Sequence, residues 1–121
     1  MKQNVLILGA SSNPMRYSYK AIEMLQEKNF TIFAIGGKEV EVKGVKIYTE
    51  AQEDWKDIDT ITMYLNTAHQ KMYYDEILRI NPRRVIFNPG SENQELEKLL
   101  QENNIQVEKA CTLVLLRTNM F

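Results

Sequence analysis

Apolar residues in this chain fall into two rhythms, short unbroken runs and helical stripes, and the two alternate along its length. Val5-Leu6-Ile7-Leu8 is a continuous run that ends at Gly9, the pattern of a strand buried on both faces, and it predicts a strand over Asn4–Leu8. Ala21, Ile22 and Leu25 share one face of a helix predicted over Tyr17–Lys28, with Asn29 as its left-handed stop. Thr31–Ile35 reads as the second strand. Beyond it Val40 and Val42 alternate, Lys43-Gly44 turns, and Val45 and Ile47 alternate again, a pattern that fits either a small flap or an extended loop. Ala51–Lys56 fits one short helical turn, and Thr60–Leu65 a third strand.

A second helix is expected from Thr67, with Gln70 completing a capping box. Tyr73, Ile77 and Ile80 form its stripe, and Pro82 stops it. Val85–Asn88 is the fourth strand. Ser91 and Gln94 fit another capping box, ahead of a helix that turns Leu96, Leu99 and Leu100 to the sheet. Gln106–Glu108 is a short fifth strand, and Thr112–Arg117 a final short helix or strand. The alternation predicts an α/β fold: a single doubly wound domain over residues 1–121, with a five-stranded parallel sheet and right-handed crossovers.

Composition narrows the partners. The 121 residues carry a net charge of -1, with 44% hydrophobic and 26% charged residues, so no global field draws the chain to nucleic acid or anionic lipid. No apolar run approaches the ~20 residues needed to cross a bilayer. Met1-Lys2-Gln3-Asn4 leads straight into the first strand with no separable signal segment, and a cytoplasmic protein is expected. The single Cys111 excludes an intrachain disulfide framework, and one His with one Cys makes no metal cluster.

In an open parallel sheet, ligands bind at the carboxyl ends of the strands. Here those ends are Gly9–Asn13, Gly36–Lys38, Asn66–Thr67 and Pro89–Asn93, which should meet around one crevice. The first resembles the strand, turn and helix start of a nucleotide-binding βαβ unit, where backbone N–H groups and the helix dipole favour a phosphate. Its glycine fingerprint is degenerate, because Ser11, Ser12 and Asn13 stand where later glycines would. After strand two, an NAD site wants an acid for the ribose diol. Gly36-Gly37-Lys38 stands there instead, and a Lys suits a phosphorylated ribose, as in CoA or NADP. Arg16 is a candidate for a pyrophosphate or a plain surface residue. Ser11 and Ser12 are candidates for phosphate contacts or for bonds to their own turn. Tyr17 is placed to flank an adenine or a pantetheine arm, and Tyr19 to pack on the sheet. Asn66 is a candidate for adenine or ribose, or for holding the chain entering the next helix. His69 falls near the crevice but has no evident carboxylate partner, so a structural or exposed role is expected. Cys111 reads as a small core residue or as a thiol near the ligand.

Four segments add a resemblance that spans nearly the whole chain. They are Gly9-Ala-Ser-x-Asn-Pro-x-Arg-x-Ser-Tyr19, Phe33-Ala-Ile-Gly-Gly-Lys38, Val85-Ile-Phe-Asn-Pro-Gly-Ser-Glu-Asn93 and Lys109-Ala-Cys-Thr112. Together they resemble the small stand-alone CoA-binding proteins, whose Rossmann-like domain is similar to that of the succinyl-CoA synthetase α subunit. The chain departs from the usual pattern at Gly36-Gly37, where many members have Asn-Pro, and at Asn88-Pro89-Gly90, where many have Gln-x-Gly. The resemblance implies a non-catalytic protein that binds CoA or acyl-CoA, with the diphosphate at the first strand-turn-helix. It implies ligand contacts from Gly9, Ala10, Ser11, Ser12, Asn13, Arg16, Tyr17, Gly36, Gly37, Lys38, Asn66, Pro89, Gly90, Asn93 and Cys111. The expected partners are the small molecule and either a larger enzyme or a second copy of the chain. The alternatives are an NADP-dependent reductase or dinucleotide-sensing redox module, and an interaction protein with a vestigial crevice.

Overall fold

The computed structural model describes residues 3–121. Its centre is β1 (Asn4–Ala10), where Val5, Leu6, Ile7 and Leu8 are all buried, as a strand covered on both faces requires. Parallel neighbours lie on either side, β2 (Thr31–Gly36) and β5 (Ile58–Met63). Outward from β5 come β6 (Arg84–Phe87) and β7 (Gln106–Lys109), again parallel. With β3 (Val40–Val42) and β4 (Val45–Tyr48), the sheet has seven strands among the described residues, in the order β3-β4-β2-β1-β5-β6-β7, not the five expected. The added pair is the alternating segment left open between flap and loop. Val40–Val42 (β3) and Val45–Tyr48 (β4) form an antiparallel hairpin, and β4 joins β2 in parallel through Ala34–Ile47 and Ile35–Tyr48. Alternation marked one buried face, and the hairpin supplies it by burying Val42, Val45 and Ile47 against the core.

Helices cover both faces. α1 (Tyr17–Glu27) and α5 (Thr112–Arg117) share one core with Val5 and Ile7. α3 (Tyr74–Ile80) and α4 (Gln94–Glu102) share the other with Leu6, Leu8, Ile61 and Val85. The helix expected from Thr67 is broken into α2 (Thr67–Gln70), a 3-10 turn at Lys71–Tyr73, and α3. Asn29 and Asn81 close α1 and α3 with φ of 64° and 52°, the left-handed stop that short amide side chains tolerate. Over 51–56 a single turn closes, with the Trp55 N–H on the Gln52 carbonyl at 3.2 Å, and it does not extend into a helix. Trp55 lies against Phe33 and Tyr48, with ring centroids 5.2 and 5.7 Å away, and covers the sheet where a helix would otherwise stand.

Two contacts fix the carboxyl end of the sheet. Gly36 lies so close to β1 that an added Cβ would stand 2.3 Å from the Ala10 carbonyl oxygen. Buried Asn88 ties three elements. Its amide donates to Thr62 Oγ1 at 2.7 Å and to the Met63 carbonyl at 2.9 Å, and its Oδ1 accepts from the Thr112 N–H at 2.8 Å. Gly36→Ala is therefore expected to cost ~1–3 kcal/mol through overpacking, measured by urea unfolding. Asn88→Ala is expected to cost about the same, because it strands the buried Thr112 N–H. A loss no greater than the ~0.5 kcal/mol of an ordinary surface substitution would refute either assignment.

Candidate functional site

The chain leaves β1 through a register shift between Leu8 and Ala10. Gly9 makes this exit at φ +100°, and a Cβ there would meet the Leu65 nitrogen at 3.0 Å. The turn that follows is held by its own side chains. Ser11 Oγ accepts from the Asn13 N–H, and Asn13 Oδ1 accepts from the Met15 N–H, both at 3.0 Å. The Asn13 carbonyl takes the Arg16 N–H at 3.0 Å and delivers the chain to α1.

That helix begins without help. Arg16, its N-cap, is extended and makes no side-chain cap, and the first turn contains no acid. The other long helix on the sheet is closed differently. Asn93 caps α4 through the Leu96 N–H, and its own N–H bonds Glu97 Oε2 at 3.1 Å. Asn66 caps the short α2 through the His69 N–H at 3.2 Å. Neither capping box expected from Thr67 or Ser91 forms, since the Asn preceding each helix wins the competition. Thr67 bonds the Glu92 carbonyl, and Ser91 bonds the Asn88 carbonyl. Gln70 is buried instead, donating to the Leu65 and Ser91 carbonyls and accepting from Asn93.

The open end of α1 faces a cleft of about 620 Å³. Its walls are Gly9 and Ser11 from the turn, Met15–Ser18 from the start of α1, Tyr64–Asn66 and His69 from the end of β5 onward, and Pro89. A second recess of about 270 Å³ lies between Ala10–Ser12 and Gly37, Lys38 and Val40. Ser11 lines both. Among the described residues, no acidic side chain lines either one, although the chain contains 16 acids. The charged groups present are Arg16 in the cleft and Lys38 in the recess. With the unfilled N–H groups of α1, they make a positive lining suited to an anion.

Tyr64 lines the cleft with its hydroxyl buried and, among the described residues, without a hydrogen-bond partner. Burial pushes this phenol up to about 12. The Thr112 and Thr62 hydroxyls, bonded to each other at 2.7 Å, oppose the shift without completing a hydrogen bond to the phenol, and Cys111 reinforces it. Tyr64 is therefore a neutral wall residue at ordinary pH.

Most of the expected site residues meet here. Gly9, Ser11, Arg16, Tyr17, Asn66 and Pro89 line the cleft, and Ala10, Ser12, Gly37 and Lys38 line the recess. Others stand apart. Asn13 shapes the turn, Gly36 is packed against Ala10, and Gly90 is exposed with its N–H on Glu92. Asn93 is buried, with its amide on Gln70 and Tyr74. Cys111 lines neither space. It is half-buried against the α1-side core, where it acts electrostatically on Tyr64. The sequence reading missed Met15, Ser18, Tyr64 and Leu65. The last two were missed because the third strand was expected to run to Leu65, whereas β5 stops at Met63 and leaves them in the crevice.

Solved structures share this architecture. A crystal structure of an uncharacterized protein is 41% identical over 100% of this chain and 99% of its own, with a TM-score of 0.94. The cell-free ID.343 protein of Thermus thermophilus is 20% identical, with a TM-score of 0.87, over 99% of this chain and 91% of its own. A dinucleotide-forming acetyl-coenzyme A synthetase 1 of Ca. Korarchaeum cryptofilum, in complex with phosphate and ADP, matches 90% of this chain at 14% identity and a TM-score of 0.73. The match covers 26% of that longer chain. At those lower identities the likeness is one of fold. No curated protein matches the chain. The model of the CoA binding domain matches residues 3–117, nearly the full length of the sheet and its helices, and the chain belongs to that family.

Proposed function

We propose that this chain is a non-catalytic binding module for CoA or acyl-CoA, with residues 1–121 acting as one domain in the cytoplasm. The observation that carries the reading is the uncapped start of α1, which opens onto a cleft without acids. In this reading the CoA diphosphate lies over Gly9–Asn13, on the N–H groups of the turn and of α1, with Arg16 adding a mobile charge. The 3′-phosphate lies in the recess beside Lys38, flanked by Ala10, Ser12 and Gly37. Exposed Tyr17, 66% accessible, covers the ligand at the rim, and Asn66 and Pro89 form the far wall. The pantetheine arm runs past Tyr64 toward Cys111 and Gly90. Gly36 and Asn93 support the site by packing and capping, not by contact.

Catalysis is left out of this reading because, among the described residues, no hydroxyl lining the cleft is hydrogen-bonded to His69, whose ring bonds Asn66 instead. Groups for chemistry would come from a partner, either a larger enzyme or a second copy. Lys38 would also serve the 2′-phosphate of NADP, so NADPH is the informative competitor.

Thermal unfolding with CoA, acetyl-CoA, NADPH and NADH separates the readings. CoA at 100 times its dissociation constant should stabilise the chain by about 2.7 kcal/mol, and the dinucleotides should do nothing. Stabilisation by NADPH alone would install the reductase reading. Stabilisation by none of the four would leave an interaction protein.

Lys38→Ala should weaken CoA by about tenfold and leave dephospho-CoA unchanged, measured by calorimetry. Equal losses would remove Lys38 from the ribose phosphate. The isolated chain should neither hydrolyse acyl-CoA nor oxidise NADPH. Turnover above buffer in either assay would overturn the non-catalytic reading.

A further inference from the structure

His69 is the one histidine of the chain, and it lines the cleft beside Asn66. A backbone N–H can only donate. The Asn66 side-chain atom that meets the His69 N–H at 3.2 Å is therefore the carbonyl oxygen, and this fixes the amide's orientation. The same oxygen stands 2.9 Å from His69 Nδ1. In the uncharged ring, Nδ1 must then carry the proton, and Nε2 is left as a lone-pair acceptor. Among the described residues none bonds Nε2. The ring is exposed, so the helix cap that orients it leaves one acceptor free in the cleft.

What meets this acceptor follows from the layout of the site, and here the argument rests on the CoA reading. Ser11 joins the two spaces, with the phosphate-binding turn between them. With the ribose phosphate beside Lys38 in the smaller recess, the nucleotide half points that way. The half beyond the diphosphate then occupies the larger cleft, which holds His69. Phosphate oxygens are acceptors and make poor partners for a lone pair. The pantetheine half offers a hydroxyl and amide N–H groups. We propose that His69, its tautomer set by Asn66, accepts a hydrogen bond at Nε2 from the hydroxyl or an amide N–H of the pantetheine half, and so distinguishes CoA from its bare nucleotide.

A single imidazole makes the test clean. Two-bond 15N–1H correlation spectra are recorded in mildly alkaline buffer, free and saturated with CoA or with 3′-phosphoadenosine 5′-diphosphate. The free protein should show the Nδ1–H tautomer. CoA should shift Nε2 and leave Nδ1 in place, and the truncated nucleotide should bind without shifting Nε2. His69→Ala should weaken CoA by about fivefold and leave the truncated nucleotide unchanged, with an unaltered melting temperature. His69→Gln should recover part of the loss. An Nε2 signal unmoved at saturating CoA, or equal losses for the two ligands, would overturn the proposal while leaving the CoA reading intact. Failure of the wild-type chain to bind CoA would overturn both.

Discussion

The site depends on the way the chain leaves the central strand. β1 is buried on both faces, so its path is fixed up to Leu8. At the next residue it must turn out of the sheet while passing against the backbone of Tyr64 and Leu65. Gly9 manages this at φ +100° with 3.0 Å between an imagined Cβ and the Leu65 nitrogen, a conformation and a gap that other residues meet only with strain. The consequence appears in the pairing with β2, where Ala10 rejoins Gly36 one step out of register. That offset swings Ser11–Arg16 over the strand ends and aims α1 at the cleft. Gly36 is the complement: its missing side chain leaves room for the Ala10 carbonyl oxygen, so the two strands can close after the shift.

Around this exit, polar groups divide between holding the structure and leaving something open. Asn88, Asn93 and Gln70 are buried and use their side chains on one another, on helix ends or on main-chain carbonyls. Such satisfaction is required of buried amides, and it makes the wall behind the cleft rigid. The charged and main-chain groups left over are of one kind, with His69 Nε2 as the acceptor beside them. They are the first N–H groups of α1, the Arg16 guanidinium and the Lys38 ammonium, all donors and mostly facing solvent. An aqueous cleft can hold unpaired donors at little cost because water fills them, and an anion that replaces the water gains charge-assisted bonds. The net charge of -1 conceals this local sign, because the acids stand elsewhere on the surface.

How much of this the sequence carries depends on the range of the interaction involved. The central strands, the helical stripes and the left-handed stop at Asn29 are local, so the residues themselves spell them out. The cleft was legible because the strand ends of a parallel sheet must gather. Side-chain capping was less so. Thr67 and Ser91 have the right spacing for capping boxes, but each lies near an Asn whose side chain reaches the helix first, and spacing does not rank such competitors. The fate of Asn93 depends on Gln70, 23 positions earlier in the chain, and that of Gly36 on a carbonyl of another strand. Such long-range pairs leave no local mark. His69 looked partnerless because a carboxylate was the expected orienting group. The amide that orients it stands three residues away, doing double duty as a helix cap.

The hairpin shows how a peripheral element can matter to a central site. Alternation at Val40, Val42, Val45 and Ile47 indicated a buried face without saying against what. β4 adds to the edge of β2, and β3 folds back antiparallel upon it, so the connection from β2 to β3 must turn within Gly37–Glu39. A loop that short, tied to the sheet at both ends, samples little space. Val40 reaches the lining of the smaller recess, and Lys38 lies two residues before it on the same side as Ser11 and Ser12. A lysine on a long free flap would sweep a wide volume and lose much freedom on meeting a phosphate. Here only its own side-chain torsions remain to be ordered. Among the described residues the edge hairpin thus contributes Val40 alone to the recess, yet it confines the base of Lys38 to the place where the site can use it.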